Sequence, residues 1–97
     1  MVIKPLDFLE HCYTSEDGAK VFKKIHPLIK EGKRVIISFE GVDSVPSSFV
    51  NEAFIKLLDD ISFAQIKSLL SFSKSTKQIN EMLRKRFEFE TKGRVAG

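Results

Sequence analysis

Apolar residues recur along the chain in two alternating rhythms. Val35-Ile36-Ile37-Ser38-Phe39 is a nearly unbroken, β-branched run. That is the pattern of a strand covered on both faces of a parallel sheet, and it places this segment at the sheet's centre. Residues 40–46 are rich in turn formers. Val50, Ala53, Phe54, Leu57, Leu58 and Ile61 then share one face at helical spacing, with Asn51, Glu52, Lys56 and Asp59 outside it. This predicts a single helix opening at Ser47 or Ser48, either of which is placed to cap it by accepting from a first-turn N–H.

The flanking segments follow the same rhythms. Val2-Ile3-Lys4, with 6–9 as an extension, reads as a first strand interrupted by Pro5, which assigns it to a sheet edge or a bulge. Thr14 or Ser15, followed by Glu16 and Asp17, starts a helix that runs to about Glu31 and stops at Gly32. Gly18, Val21, Phe22, Ile25, Leu28 and Ile29 face inward there; Lys20, Lys23, Lys24, Pro27 and Lys30 face outward. Residues 66–72 read as a third strand. A turn over 73–76 follows, with Ser75 and Gln78 at capping-box spacing, then a helix that buries Ile79, Met82 and Leu83 and ends near Arg86. Phe87-Glu88-Phe89-Glu90-Thr91 alternates with period two, as a closing strand would, and 92–97 reads as a frayed tail. The pattern predicts an α/β sandwich of about four mostly parallel strands with right-handed crossovers, one domain over 1–97.

Composition changes this picture little. Ninety-seven residues suit one domain. A hydrophobic fraction of 42% and a charged fraction of 30% are those of a globular chain and exclude the disordered and fibrous classes. Sixteen Lys and Arg against thirteen Asp and Glu leave a net charge of +3, a weak excess for a nucleic-acid binder. The lone Cys12 excludes an intrachain disulfide and fits a reducing compartment. The opening residues lack the basic start and apolar run of a signal peptide, so a cytoplasmic location is expected.

Chemistry-bearing motifs are few. Gly32-Lys33-Arg34 lacks the upstream glycine and following hydroxyl of a phosphate loop. His11 and Cys12 are adjacent, a spacing at which both seldom reach one ion, and no second pair stands at ligand spacing; no metal or other cofactor is expected. Ser47, His26 and Asp43 have the residue types of a hydrolase triad, but His26 belongs to the first helix, where a partly buried structural role is expected. Asp59 and Asp60 read as a solvated helix end. The lysine face of the first helix has no interleaved aromatics to stack bases. Ile55 points away from the core in a continuous helix, among Asn51, Glu52 and Asp59.

The segment Phe39-Glu40-Gly41-Val42-Asp43-Ser44-Val45-Pro46-Ser47-Ser48-Phe49, entering its amphipathic helix, resembles the signature of the STAS domain of anti-sigma factor antagonists and sulfate-transporter tails. It is closer still to a compact STAS-like family of unknown function found in bacteria, often encoded near histidine-kinase-type ATPases. The resemblance spans 3–89 in element order, with its specific letters in 35–58. It implies a small antagonist-like sandwich and a non-catalytic regulatory module that binds a protein partner, a histidine-kinase-type ATPase acting as a serine kinase. Ser47, with Ser48 beside it, is implied as the phosphorylated position. Pro46 stands where the antagonists carry an acidic residue and Phe49 where they carry glycine, which leaves Asp43 as the acidic group of the turn. Asp43, Ser47, Ser48, Phe49, Glu52 and Ile55 form the implied docking surface. The alternatives are a constitutive, non-phosphorylated adaptor and a weakly basic nucleic-acid-binding domain.

Overall fold

The computed structural model describes residues 1–95. Three parallel strands, β1 (Val2–Ile3), β2 (Val35–Ser38) and β3 (Leu70–Ser73), lie in the order β1-β2-β3, so β2 is central as its apolar run predicts. Val2 pairs with Ile36, and Val35 with Leu70. The chain leaves β1 after two residues because Pro5 opens a 3-10 turn over Pro5–Asp7, and the strand sits at the sheet edge where proline costs no ladder bond.

Helices pack against one face of this sheet. Val35, Ile37 and Phe39 are fully buried against them, whereas on the opposite face Val2 is 64% exposed, Ser71 is exposed and Ile36 is half-buried. Ser38, on that same opposite face, is nonetheless buried at 8% exposure, so β2 has no exposed residue and the expected cover on both faces holds for the central strand but not for the β1 and β3 positions beside it. Each crossover returns to the adjacent strand, and crossovers of one hand put their helices on one side. α1 (Ser15–Lys30) and α2 (Ser47–Ala53) accordingly pack against each other. They run parallel, since Lys56 sits over the Phe22 ring and Asp60 meets His26, a constant offset of 34 positions. Gly18 permits the approach: a Cβ there would stand 2.5 Å from the Phe49 carbonyl oxygen.

The helix predicted from Ser47 to Ile61 is broken. α2 ends at Ala53, Phe54 leaves helical geometry (φ −125°, ψ −45°), and a 3-10 segment covers Ile55–Asp59. Phe54 lies edge-on to Phe39, Phe49 and Phe72, with ring centroids 6.3, 6.2 and 5.2 Å away, and this aromatic cluster fixes the break. The three-residue period beyond it brings Ile55 and Leu58 onto the same side, and both are buried. Ile55 is thus 5% exposed, not the outward residue of a continuous helix.

The predicted third strand over 66–72 is half helix. Ser62 caps α3 (Phe63–Leu69) by accepting from the Gln65 N–H at 3.2 Å, and Gln65 donates to the Ile29 carbonyl at the end of α1. Extended backbone begins only at Leu70. α4 (Lys77–Val95) starts where Thr76 Oγ1 accepts from the Ile79 N–H, and it does not stop near Arg86. Ile79, Leu83 and Phe87 form its buried stripe at spacing four, while Arg84–Glu88 and Arg86–Glu90 are ion pairs at the same spacing. These helical pairs override the five-residue alternation over 87–91, and the closing strand is absent; the sheet has three strands rather than about four. α4 also covers 92–95 of the expected tail, whose last residues, 96 and 97, lie outside the described residues.

Candidate functional site

All three strands end on the same side of the molecule, because a parallel sheet with helical crossovers sends every strand into the loop before its helix. The rim so formed combines residues 11–14, 39–46 and 73–76.

The loop after β2 is the most constrained of these. Gly41 turns it with φ +86°, in the left-handed region, inside the turn closed where the Val42 N–H donates back to the Phe39 carbonyl at 2.9 Å. Its exit is held by α4. The Val45 N–H donates to Gln78 Oε1 at 3.0 Å, Gln78 Nε2 donates to the Val45 carbonyl at 3.1 Å, and Thr76 Oγ1 donates to the Asp43 carbonyl at 2.7 Å. Gln78 therefore ties the loop after β2 to the first turn of α4 and does not form the capping box with Ser75, whose hydroxyl donates to Asn80 Oδ1.

Beyond this clasp the chain enters α2. Pro46 is its N-cap residue and offers no side-chain acceptor, so Ser47 and Ser48 are the first two helical residues and neither caps. With helical backbone angles their hydroxyls no longer reach back over the first-turn N–H groups. Both are exposed and, among the described residues, without a side-chain hydrogen bond. Phe49 is fully buried among the aromatics and anchors the pair from beneath. Of the expected docking residues, Asp43, Ser47 and Ser48 stand exposed at or beside the rim, and Glu52 is half-buried one turn on, near Lys56 at 3.5 Å. Phe49 and Ile55 are removed from that surface by burial.

Tyr13 belongs to the rim and was missed in the residue pattern. It is 59% exposed, its ring is stacked on His11 at 5.0 Å, and it borders the same hollow as Asp43 and Ser44. The only signal in the sequence is its place immediately before the Thr14 cap. Asp17 holds this segment: Thr14 Oγ1 accepts from its N–H, and its carboxylate accepts from the Tyr13 and Thr14 N–H groups and pairs with His11 Nδ1 at 2.9 Å. Burial pushes the Asp17 carboxyl up, but these backbone and side-chain hydrogen bonds outweigh it and leave its pKa below the usual aspartate value.

The remaining sequence candidates lie apart. His26 Nε2 is 2.9 Å from Asp60 Oδ2, which also takes Lys30 Nζ at 2.7 Å, and the ring stacks on Phe22. Lys30 and His26 hold the Asp60 carboxyl below its ordinary pKa. This cluster sits at the far end of the α1–α2 pair, thirteen positions from Ser47 and beyond the break at Phe54, so no triad forms. Asp60 is ion-paired, and both Asp59 and Asp60 are exposed at the end of the 3-10 segment, as a solvated helix end requires. Within the α1 lysine face, Lys24 lies over the Phe8 ring and Lys30 is committed to Asp60. Cys12 is buried, its thiol pushed up to about 11 by burial and by Asp17, while His11 turns outward. Among the described residues no group of three or more His, Cys, Asp or Glu is placed to hold a metal ion.

Beside the rim, His11, Cys12, Tyr13, Gly41, Asp43 and Ser44 border a cavity of about 110 Å³. Small-molecule sites begin at roughly 300 Å³, so this hollow suits the tip of a side chain better than a cofactor. No helix among the described residues is long and apolar enough to cross a membrane. Residues 17–80 match the family model described as a STAS-like domain of unknown function (DUF4325). No curated protein and no solved structure matches the chain.

Proposed function

The chain belongs to the STAS-like domain family, and from that premise we propose that it is a non-catalytic regulatory module of the anti-sigma-factor-antagonist type, read by a protein partner at the strand-end rim. One observation carries this reading: Ser47 and Ser48 present two unpartnered hydroxyls at the rim, on a turn that Gln78 and Thr76 fix to α4. A surface held this rigidly loses little freedom when a partner docks. The docking set is Tyr13, Asp43, Ser47, Ser48 and Glu52. Tyr13 is its aromatic anchor, a residue type that dominates interface energetics.

In this reading a histidine-kinase-type ATPase is both the partner and the serine kinase. Phosphorylating Ser47 brings about −1.5 to −2 charges to an interface, beside the Asp43 and Glu52 carboxylates. A dianion trapped there without a cation loses its hydration, at a cost on the order of several kcal/mol, and the partner leaves. The fold itself tolerates the group, since the hydroxyl is exposed.

The test incubates the chain with a histidine-kinase-type ATPase and ATP, follows the intact mass, and compares partner affinity for wild type, Ser47→Ala and Ser47→Asp. Expected are one added phosphate, its loss in Ser47→Ala, and binding by Ser47→Asp weakened at least about tenfold, or 1.4 kcal/mol. Binding with unchanged mass and equal Ser47→Asp affinity identifies a constitutive adaptor instead. Absence of binding removes the proposal, and a salt-dependent shift of labelled RNA or DNA points to the nucleic-acid alternative.

A further inference from the structure

A second surface lies on the other side of β3. The Ser73 carbonyl accepts from the Phe39 N–H, so in the alternating ladder of a parallel pair Ser71 and Ser73 turn their peptide groups toward β2. Phe72 turns its N–H and carbonyl the opposite way, along the outer edge of the sheet. No strand pairs with that edge among the described residues.

Directly beside it runs a groove of about 410 Å³ between α3, β3 and α4, floored by Phe63, Ile66, Leu70, Phe72, Leu83 and Phe87. The other edge of the sheet is shorter, for β1 offers two residues, and the hollow of about 370 Å³ beside it mixes Met1, Val2, Ile3, Phe8 and Leu28 with Lys4, Asp7 and Lys24. Edge strands that merely need protection are shortened or charged, and an apolar trench does the reverse.

Charge completes the pattern. Lys67 lies on the groove wall three residues before β3, over the Phe63 ring at 6.0 Å, and Lys74 follows β3 directly in the chain without lining the groove; both are exposed. Neither meets a carboxylate among the described residues, whereas Arg84, on the same wall, is committed to Glu88. An occupant must therefore supply backbone donors and acceptors in extended form, apolar side chains at alternate positions, and acidic groups toward its two ends.

We propose that the β3 edge and its groove bind an extended, acid-flanked segment of a partner protein, which joins the sheet as a fourth strand through the Phe72 peptide groups and lays alternate apolar side chains against Leu70, Phe72 and Phe87. This mode is strand addition, in which the main chain supplies affinity and the pockets supply selectivity. The surface is separate from the serine rim and stands whether or not Ser47 is a switch.

The probe is the blocked peptide Asp-Ile-Thr-Ile-Thr-Asp, titrated into the full chain with amide exchange read by NMR. Saturable binding with at least about tenfold slower exchange at the Phe72 amide is expected, because that N–H gains a partner. Lys67→Glu combined with Lys74→Glu, both exposed and checked for an unchanged spectrum elsewhere, weakens binding by roughly tenfold at low salt, as does replacing the terminal Asp residues of the peptide by Lys. Absence of saturation overturns the proposal, and so does binding that leaves Phe72 exchange unchanged. Concentration-dependent protection of Phe72 without peptide also overturns it, in favour of a second copy of this chain.

Discussion

Gln78 and Val45 are bonded to each other twice, the side-chain amide of one donating to and accepting from the backbone of the other at 3.1 and 3.0 Å. The amide mimics a neighbouring strand for a single residue, and in doing so joins the loop that follows β2 to the first turn of α4. Val45 is 1% exposed, so water cannot replace the lost bonds easily. Gln78→Ala is expected to lower unfolding free energy by about 1–3 kcal/mol, since it leaves a backbone donor and a backbone acceptor unpaired. Urea denaturation measures this. The Val45 amide should exchange faster by more than the global loss explains, because the clasp opens locally before the fold does. Gln78→Glu keeps the acceptor and loses the donor, and its stability should fall between the two.

Cys12 should behave as a hydrocarbon in the native state. It is 1% exposed and its thiol is pushed up to about 11 by burial and by the Asp17 carboxylate, so the reactive thiolate is scarce at neutral pH. Native protein mixed with a chromogenic disulfide reagent at pH 8 should react only as fast as the segment opens, and denatured protein at once. Immediate stoichiometric reaction of the native chain would contradict this burial.

Acid should act through Asp17. Its folded pKa is lowered, so its ionisation contributes stability that is present above its unfolded value, near 3.9, and is lost as pH falls through the folded value. Asp17→Asn keeps the shape but loses the charge that binds the Tyr13 and Thr14 amides and His11. Its cost near pH 7 should be about 1–2 kcal/mol, as for a removed helix cap, shrinking toward zero below the folded pKa of Asp17 where the wild-type carboxyl is itself protonated. Thermal melts of both proteins across pH 2–7 check the sign, since a gap that widens in acid would reverse it.

Long apolar rhythms were legible in this sequence where one physical cause acted alone. The run at Val35 gave a central strand, Thr14 with Asp17 gave a capped helix, and Gly32, with φ +84°, gave its end. Short patterns failed where tertiary contacts outvoted them. Five alternating residues at Phe87 read as strand until Leu83 and Arg84 one turn earlier are taken into account, and Ser62 with Gln65 carried an unread capping signal that would have moved the third strand to Leu70. At the rim, the exposure of Ser47 and Ser48 could be read from their place before an amphipathic face. The Gln78 clasp could not, for it joins residues 33 apart whose only link is the parallel sheet.

Ile55 offers the sharpest contrast between the two geometries of its segment. In a continuous helix from Ser47 it projects beside Asn51, Glu52 and Asp59, and a polar replacement would change stability by no more than about 0.5 kcal/mol. In the broken arrangement Phe54 interrupts the helix, the 3-10 period carries Ile55 and Leu58 inward together, and Ile55 keeps only 5% of its surface. Removing its side chain then leaves a cavity in the buried core, so Ile55→Ala should cost about 2–5 kcal/mol. Ile55→Lys should do at least as much harm, because a single cation would have to leave water or force the segment open. Lys56→Ala is the companion control, as an exposed neighbour with a surface ion pair to Glu52, and should stay within roughly 0.5 kcal/mol of wild type. Chemical denaturation of the three variants separates the geometries: tolerance of lysine at position 55 would restore the unbroken helix and return that residue to the surface.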